Sequence, residues 1–214
     1  MTWQSDNMII SLTGFMGCGK SSVGRRLSEL LCCSFIDLDD VIEEREGRSI
    51  PEIFATEGEA TFRQMELDAL RTIICHSDSQ SAPLAPYHSI AAGPSPYPGV
   101  GKCQFRTSDY QNDSKRHMVI ALGGGTVMTN ECAELVQNNT CCIYLKASVE
   151  TLVEHLAGEA AGRPMLADAD LRTRIETLMQ QRAATYEKTA HTIIDTDGKS
   201  IDEIACEIGK QVAQ

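Results

Sequence analysis

Residues 8–27 read MIISLTGFMGCGKSSVGRRL. Met8 to Thr13 is a short apolar, β-branched run, the pattern of a buried strand. Gly14 to Ser21 fits G-x-x-x-x-G-K-[ST], a phosphate-binding loop. From Lys20 to Leu31 the apolar residues Val23, Leu27, Leu30 and Leu31 recur at helical spacing. Strand, loop and helix in this order are the context such a loop needs. Its glycines let backbone N–H groups curl around a phosphate. The helix N-terminus adds donors and a favourable dipole. Lys20 reaches the β and γ phosphates, and the Ser21 hydroxyl can ligate Mg²⁺. The stretch therefore predicts a nucleotide site at the end of a first strand.

Working outward, the same alternation continues. Ser34 to Leu38 predicts a second strand, and Val41 to Gly47 a short helix ended by glycine. Ser49 and Glu52 have capping-box spacing and open a helix through Phe54. A longer amphipathic helix runs from Glu59 to Ile74. The strand pattern returns at Met118 to Leu122, ahead of three glycines, Gly123 to Gly125. A helix near Asn130 to Gln137, a strand at Cys141 to Leu145 and a helix from Ser148 follow. A long helix spans Leu171 to about Lys188, and the last strand Thr192 to Ile194. Ser200 and Glu203, again a capping-box pair, open the final helix. Strands alternating with helices predict an α/β fold with a five-stranded parallel sheet.

The chain has 214 residues, the size of one domain or of one domain carrying an insertion. The candidate insertion is 76–116. It holds five of the seven prolines and seven serines and has no helical or strand period, so it reads as loop-like. With 42% hydrophobic residues the chain can build a core. Its formal charge of −11 argues against a broad nucleic-acid surface, although a few local donors can still hold a small anion. The nine cysteines are odd in number and lack a C-x-x-C spacing, which fits neither a disulfide framework nor a zinc site. They read as small buried residues in a reducing cytosol. Met1 to Asn7 carries no signal-peptide pattern, and no apolar run is long enough to span a membrane.

The remaining candidate site residues lie after the predicted strands. Asp37 and Asp39 close the second strand, where alternation puts residues two apart on one side. One carboxylate can hold a metal through water, and the other can accept a proton from an attacking hydroxyl. The same residues also fit a strand end followed by an acidic helix N-terminus. Arg63 and Glu66 are three apart on a helix, so that Glu66 can steady Arg63. Arg182 sits on the long helix, and two arginines can clamp a carboxylate. Gly123, Gly124 and Gly125 after a buried strand allow close backbone approach to a ligand, and also fit a plain strand-to-helix turn. Arg163, between Gly162 and Pro164, lies where a closing lid over 158–168 would bring it to a transferring phosphate.

Taken together, GFMGCGKSSVGRRL, FIDLDDVIEEREGRSIPEIFATEGEATFRQME, ALGGGTV, RPML and QQRAATYEKTA resemble the shikimate kinase family, in order and in spacing. The resemblance implies a P-loop kinase of the nucleoside-monophosphate-kinase-like fold with sheet order 2-3-1-4-5. It implies transfer of the ATP γ-phosphoryl to the 3-hydroxyl of shikimate. ATP would be held by Gly17, Cys18, Gly19, Lys20, Ser21 and Ser22, by Arg163 of the lid, and by Lys199 in an adenine-bordering segment from Asp195. Ser21 and Asp37 would hold Mg²⁺. Asp39 would bind the reacting hydroxyl as base. Arg63 and Arg182 would grip the shikimate carboxylate, and Gly124 and Gly125 would touch ring hydroxyls. The catalytic set is then Asp39, Lys20 and Arg163. The chain departs from the family in having no basic residue from Leu156 to Ala161, in carrying Lys199 where an arginine is common, and in the length of 76–116. A gluconate-type kinase and a non-catalytic nucleotide binder of the same fold are the competing readings. The expected enzyme is a cytoplasmic monomer.

Overall fold

The computed structural model describes residues 8–76, 117–157 and 171–212. In chain order these form β1 (Ile9–Thr13), α1 (Lys20–Leu31), β2 (Ser34–Asp37), α2 (Leu38–Glu46), α3 (Ile50–His76), β3 (Met118–Ala121), α4 (Asn130–Asn139), β4 (Cys141–Lys146), α5 (Val149–Leu156), α6 (Leu171–Thr189), β5 (Thr192–Asp195) and α7 (Ile201–Val212). A 3₁₀ turn, Thr126–Met128, precedes α4. The predicted insertion and lid fall almost wholly outside the described residues.

All five strands are parallel, in the order β2-β3-β1-β4-β5. The central strand β1 pairs Leu12 with Ala121 of β3 and Thr13 with Tyr144 of β4. The central strands β1, β3 and β4 are buried on both faces, which explains why they read as mostly apolar runs. Alternation sends Ile10, Leu12, Val119, Ile143 and Leu145 to one face, against Val23 and Leu27 of α1 and Ile204 and Ile208 of α7. Ile9, Ile36, Ile120, Cys142 and Tyr144 line the other, against Ile42, Phe62, Leu70, Val136 and Tyr186. At both predicted capping boxes the serine, Ser49 or Ser200, donates from backbone N to a carboxylate three residues on, at 2.8 Å, and at Ser200 the box is reciprocal, with Glu203 N donating to Ser200 Oγ at 3.3 Å. Gly58, with φ 82° and ψ 175°, breaks α3 between the two helices expected there.

Two expectations change. The strand expected to run through Leu38 ends at Asp37, because Asp37 caps α2: its carboxylate accepts from Asp39 N at 3.2 Å. Asp37 and Asp39 are therefore a cap and a first-turn residue of a helix, not alternate residues of a strand. The cysteines also divide: Cys18, Cys132 and Cys142 are buried, whereas Cys32 and Cys206 are exposed, and none of these five is in a disulfide. No helix among the described residues is long and apolar enough to cross a membrane.

Candidate active site

In a parallel sheet, ligands gather beyond the carboxyl ends of the strands, where the order switches direction. Here β1 leads into the glycine loop, β2 into Asp37, and β3 into Gly123 to Gly125. The loop is shaped by glycine at Gly17 and Gly19, with φ of 82° and 90°. L side chains avoid that region, so the turn that aims N–H groups inward needs glycine there. Lys20 is 9% exposed, and its ammonium lies 3.0 Å from the carbonyls of both Gly14 and Phe15. The loop carbonyls thus hold the cation in its mouth. Cys18 is buried, and burial pushes its thiol pKa upward, against the pull of Lys20. That suits a spacer in the loop and not a nucleophile. Ser21 and Ser22 open α1 and are exposed.

Ser21 Oγ donates to Asp37 Oδ2 at 2.6 Å. A hydroxyl and a carboxylate side by side at the phosphate loop are hard oxygen donors of the kind Mg²⁺ takes, alongside phosphate oxygens and water. The described residues hold no cluster of three or more His, Cys, Asp or Glu that could hold a metal by itself.

Opposite the loop stands Asp39. Its Oδ1 is buried with no hydrogen-bond partner among the described residues. Burial above all, then the charges of Asp37 and Glu66, push its pKa up to about 7, with Lys20 pulling the other way. A carboxylate poised near neutrality and left without a partner is suited to accept a proton.

Arg63 and Arg182 approach the glycine turn from α3 and α6. Glu66 has no exposure and accepts from Arg63 Nη1 at 2.5 Å, while Thr126 Oγ1 donates to its other oxygen. Arg63 also donates to Glu59, Nη2 to Oε1 2.9 Å. Arg182 is 7% exposed and donates from Nη1 to Gly124 O at 3.4 Å. The glycines are needed for space: a Cβ at Gly123 would sit 2.7 Å from Asp39 Oδ1 and 2.8 Å from Glu66 Oε1, and one at Gly125 2.7 Å from Arg63 Cζ. The turn therefore brings together Asp39, Arg63, Gly124, Gly125 and Arg182.

Lys199 stands apart from this group. It follows β5 on the same sheet edge, and its ammonium pairs with Glu207 of α7 at 2.7 Å. Arg163 and the expected lid lie outside the described residues. Gly123 was read with Gly124 and Gly125 as a place of close backbone approach, but its neighbours Asp39 and Glu66 come from α2 and α3, which no local pattern marks. Sequence reasoning passed over His155, whose Nδ1 lies 2.8 Å from Gly17 O and so must carry the proton. Beside it, Leu156 packs where a Cβ on Gly17 would be, at 2.8 Å from Cγ. A histidine closing an amphipathic helix gives no signal of a distant loop carbonyl.

A family model described as shikimate kinase matches residues 16–79 and 103–213. Shikimate kinase of Thermus thermophilus is 35% identical over 199 residues, covering 93% of this chain and 86% of that protein. Shikimate kinase of Rhodopirellula baltica is 33% identical over 202 residues, covering 93% and 87%. Among solved structures, shikimate kinase from Acinetobacter baumannii in complex with shikimate superposes with a TM-score of 0.74 at 26% identity, covering 96% of this chain and 92% of that one.

Proposed function

The chain belongs to the shikimate kinase family, and from that premise we propose that its site transfers the γ-phosphoryl group of ATP to the 3-hydroxyl of shikimate. The observation that carries this reading is the glycine turn after β3. Arg63 and Arg182 flank it, and the unpartnered Asp39 oxygen faces it, across from the phosphate loop. An acceptor with one carboxylate and a ring of hydroxyls matches that set of groups.

The ATP phosphates lie in the loop of Gly17 to Ser22, and Lys20 leaves the Gly14 and Phe15 carbonyls to meet them. Ser21 and Asp37 are the residues that would hold Mg²⁺, which when bound offsets phosphate charge. Arg63, steadied by Glu66, and Arg182 grip the shikimate carboxylate through charge-assisted hydrogen bonds. Gly124 and Gly125 line the ring hydroxyls. Asp39 accepts the proton of the 3-hydroxyl as its oxygen bonds the γ phosphorus, and the bond from that phosphorus to the ADP oxygen breaks. Arg163 reaches the moving phosphoryl from the lid, and Lys199 borders the adenine. In this reading the enzyme is a cytoplasmic monomer of one domain, in keeping with the free cysteines among its described residues.

An ADP-release assay with and without shikimate tests the function, with gluconate as the comparison acceptor. Release that rises only with shikimate is expected. Release with gluconate alone would transfer the reading to a different acceptor, and nucleotide binding without turnover of either would support a non-catalytic protein.

A further inference from the structure

Tyr186 lies at the centre of the second core face and is fully buried. Its ring stacks on that of Tyr144, with centroids 5.2 Å apart. Two phenols thus share one apolar environment, yet they are satisfied differently. Tyr144 Oη is buried with no hydrogen-bond partner among the described residues. Tyr186 Oη donates to Gly124 O at 2.5 Å. The same carbonyl accepts from Arg182 Nη1 at 3.4 Å. Arg182 and Tyr186 are four residues apart on α6, so both side chains leave the same face of the helix and meet at one oxygen.

We propose that Tyr186 is a positioning residue for the acceptor: its phenol fixes the Gly124 carbonyl and with it the placing of Arg182. This rests on the reading of the glycine turn and Arg182 as the acceptor site. A Gly-Gly-Gly turn has no side chains to lock its backbone: Gly123 O and Gly125 O accept from Thr126 N and Met128 N, at 3.2 and 3.0 Å, and the middle carbonyl, Gly124 O, takes no such bond from the turn. A stiff donor from a packed helix supplies the constraint on that middle carbonyl. The phenol is rigid and close-packed, so the carbonyl it holds inherits the order of the core. A long guanidinium sharing that carbonyl has few other ways to lie.

The paired tyrosines provide the test, because each can lose one hydroxyl from the same core. Tyr186→Phe and Tyr144→Phe are made in the full chain and assayed with shikimate and ATP varied separately, alongside thermal melts. Loss of the Tyr186 hydrogen bond is expected to raise the KM for shikimate about tenfold. The KM for ATP should stay within about twofold, since Lys20 is held by the Gly14 and Phe15 carbonyls and not by Gly124. Tyr144→Phe removes a hydroxyl that bonds nothing among the described residues and should leave both constants unchanged. An unchanged shikimate KM in Tyr186→Phe would overturn the proposal. So would an equal rise in Tyr144→Phe, or an equal rise for both substrates. A Tyr186→Phe protein that no longer melts cooperatively, while Tyr144→Phe does, would assign the residue to the core alone. If the unmodified protein accepts gluconate and not shikimate, the substrate reading fails by itself, and the same comparison is made on gluconate.

Discussion

The Arg63 guanidinium rests on a carboxylate that has no contact with water: Glu66 is wholly buried and meets Arg63 Nη1 at 2.5 Å. The pair is held at its other end by Thr126. Desolvation pushes the Glu66 pKa upward, and Arg63, which it faces, opposes that shift. Removing Arg63 leaves Glu66 buried and without its counter-charge, which costs about 3–5 kcal/mol, whereas removing Glu66 leaves Arg63 its bond to Glu59. Arg63→Ala should therefore melt well below the wild type, and Arg63→Ala/Glu66→Ala should regain part of that loss. A double variant no more stable than Arg63→Ala in thermal melts would show that the two charges are not coupled.

Arg63→Ala and Arg182→Ala should each weaken shikimate more than ATP. A substrate carboxylate left half-paired in a closed site costs roughly 2–5 kcal/mol. Methyl shikimate is the control: it should be a poor substrate for the wild type and hardly poorer for either variant. Equal losses in ATP affinity would give these arginines a different task.

Asp39→Asn should lower turnover by about 10²–10⁴-fold, the usual contribution of a general base, with ATP binding nearly intact. The same change should raise stability in alkaline solution. Asp39 has its folded pKa raised to about 7, so the folded state binds a proton more tightly than the unfolded chain. Stability from this group is complete below its ordinary carboxylate pKa and is lost as pH rises to about 7. Melting curves of the two proteins should coincide near about pH 4 and separate, with Asp39→Asn higher, by about pH 8. A wild type that melts higher than Asp39→Asn at every pH would deny the desolvation of Asp39.

If the Asp39 carboxylate is the base, kcat/KM must fall as pH drops through about 7, where it takes up a proton. Asp37 is the largest like charge acting on it. Asp37→Asn should slow the enzyme through its lost place beside Ser21, and should also move the acidic bend of the profile to lower pH. A bend that stays put would assign it to another group.

The central strands β1, β3 and β4 were legible because they are buried on both faces and so read as mostly apolar runs, whereas the edge strands β2 and β5 were shorter signals with exposed residues such as Ser34 and Ile193. The phosphate loop was legible because its chemistry is local in sequence. Asp37 and Asp39 were placed in one strand because a strand end and a helix N-cap favour the same residue type, and only the Asp39 N–H reaching back to Asp37 tells them apart. Tyr186 was missed, and the neighbours of Gly123 were not foreseen, for a different reason. A glycine in a run of three looks like a turn until Asp39 and Glu66 are brought within a methyl group of it. A tyrosine on an amphipathic helix looks like core, and it is core except for one oxygen.

The last prediction concerns 76–116. Replacing residues 79–114 with a short Gly/Ser linker should leave shikimate phosphorylation within a few-fold of the wild type. The segment joins the end of α3 to the start of β3. Met118 N donates to Met8 O at 3.1 Å and Ser34 N to His117 O at 3.4 Å, which sets this junction at the amino ends of β1 and β2. The glycine loop, Asp37 and the Gly123 turn all lie at the opposite, carboxyl ends. The family model also passes over 80–102, so these residues add nothing that the family pattern requires. Shortening a connection changes its closure entropy by only about 0.6 kcal/mol per halving of length, a small change in the favourable direction. The competing possibility is that Tyr87, Tyr97, Phe105 and Tyr110, the aromatic residues of this stretch, support the enzyme. Circular dichroism, a cooperative melt and the ADP-release assay on the shortened chain separate the two. A shortened protein that folds and melts cooperatively but turns over more than about tenfold slower, a loss of about 1.4 kcal/mol in the barrier, would show that the segment acts on the site from across the sheet.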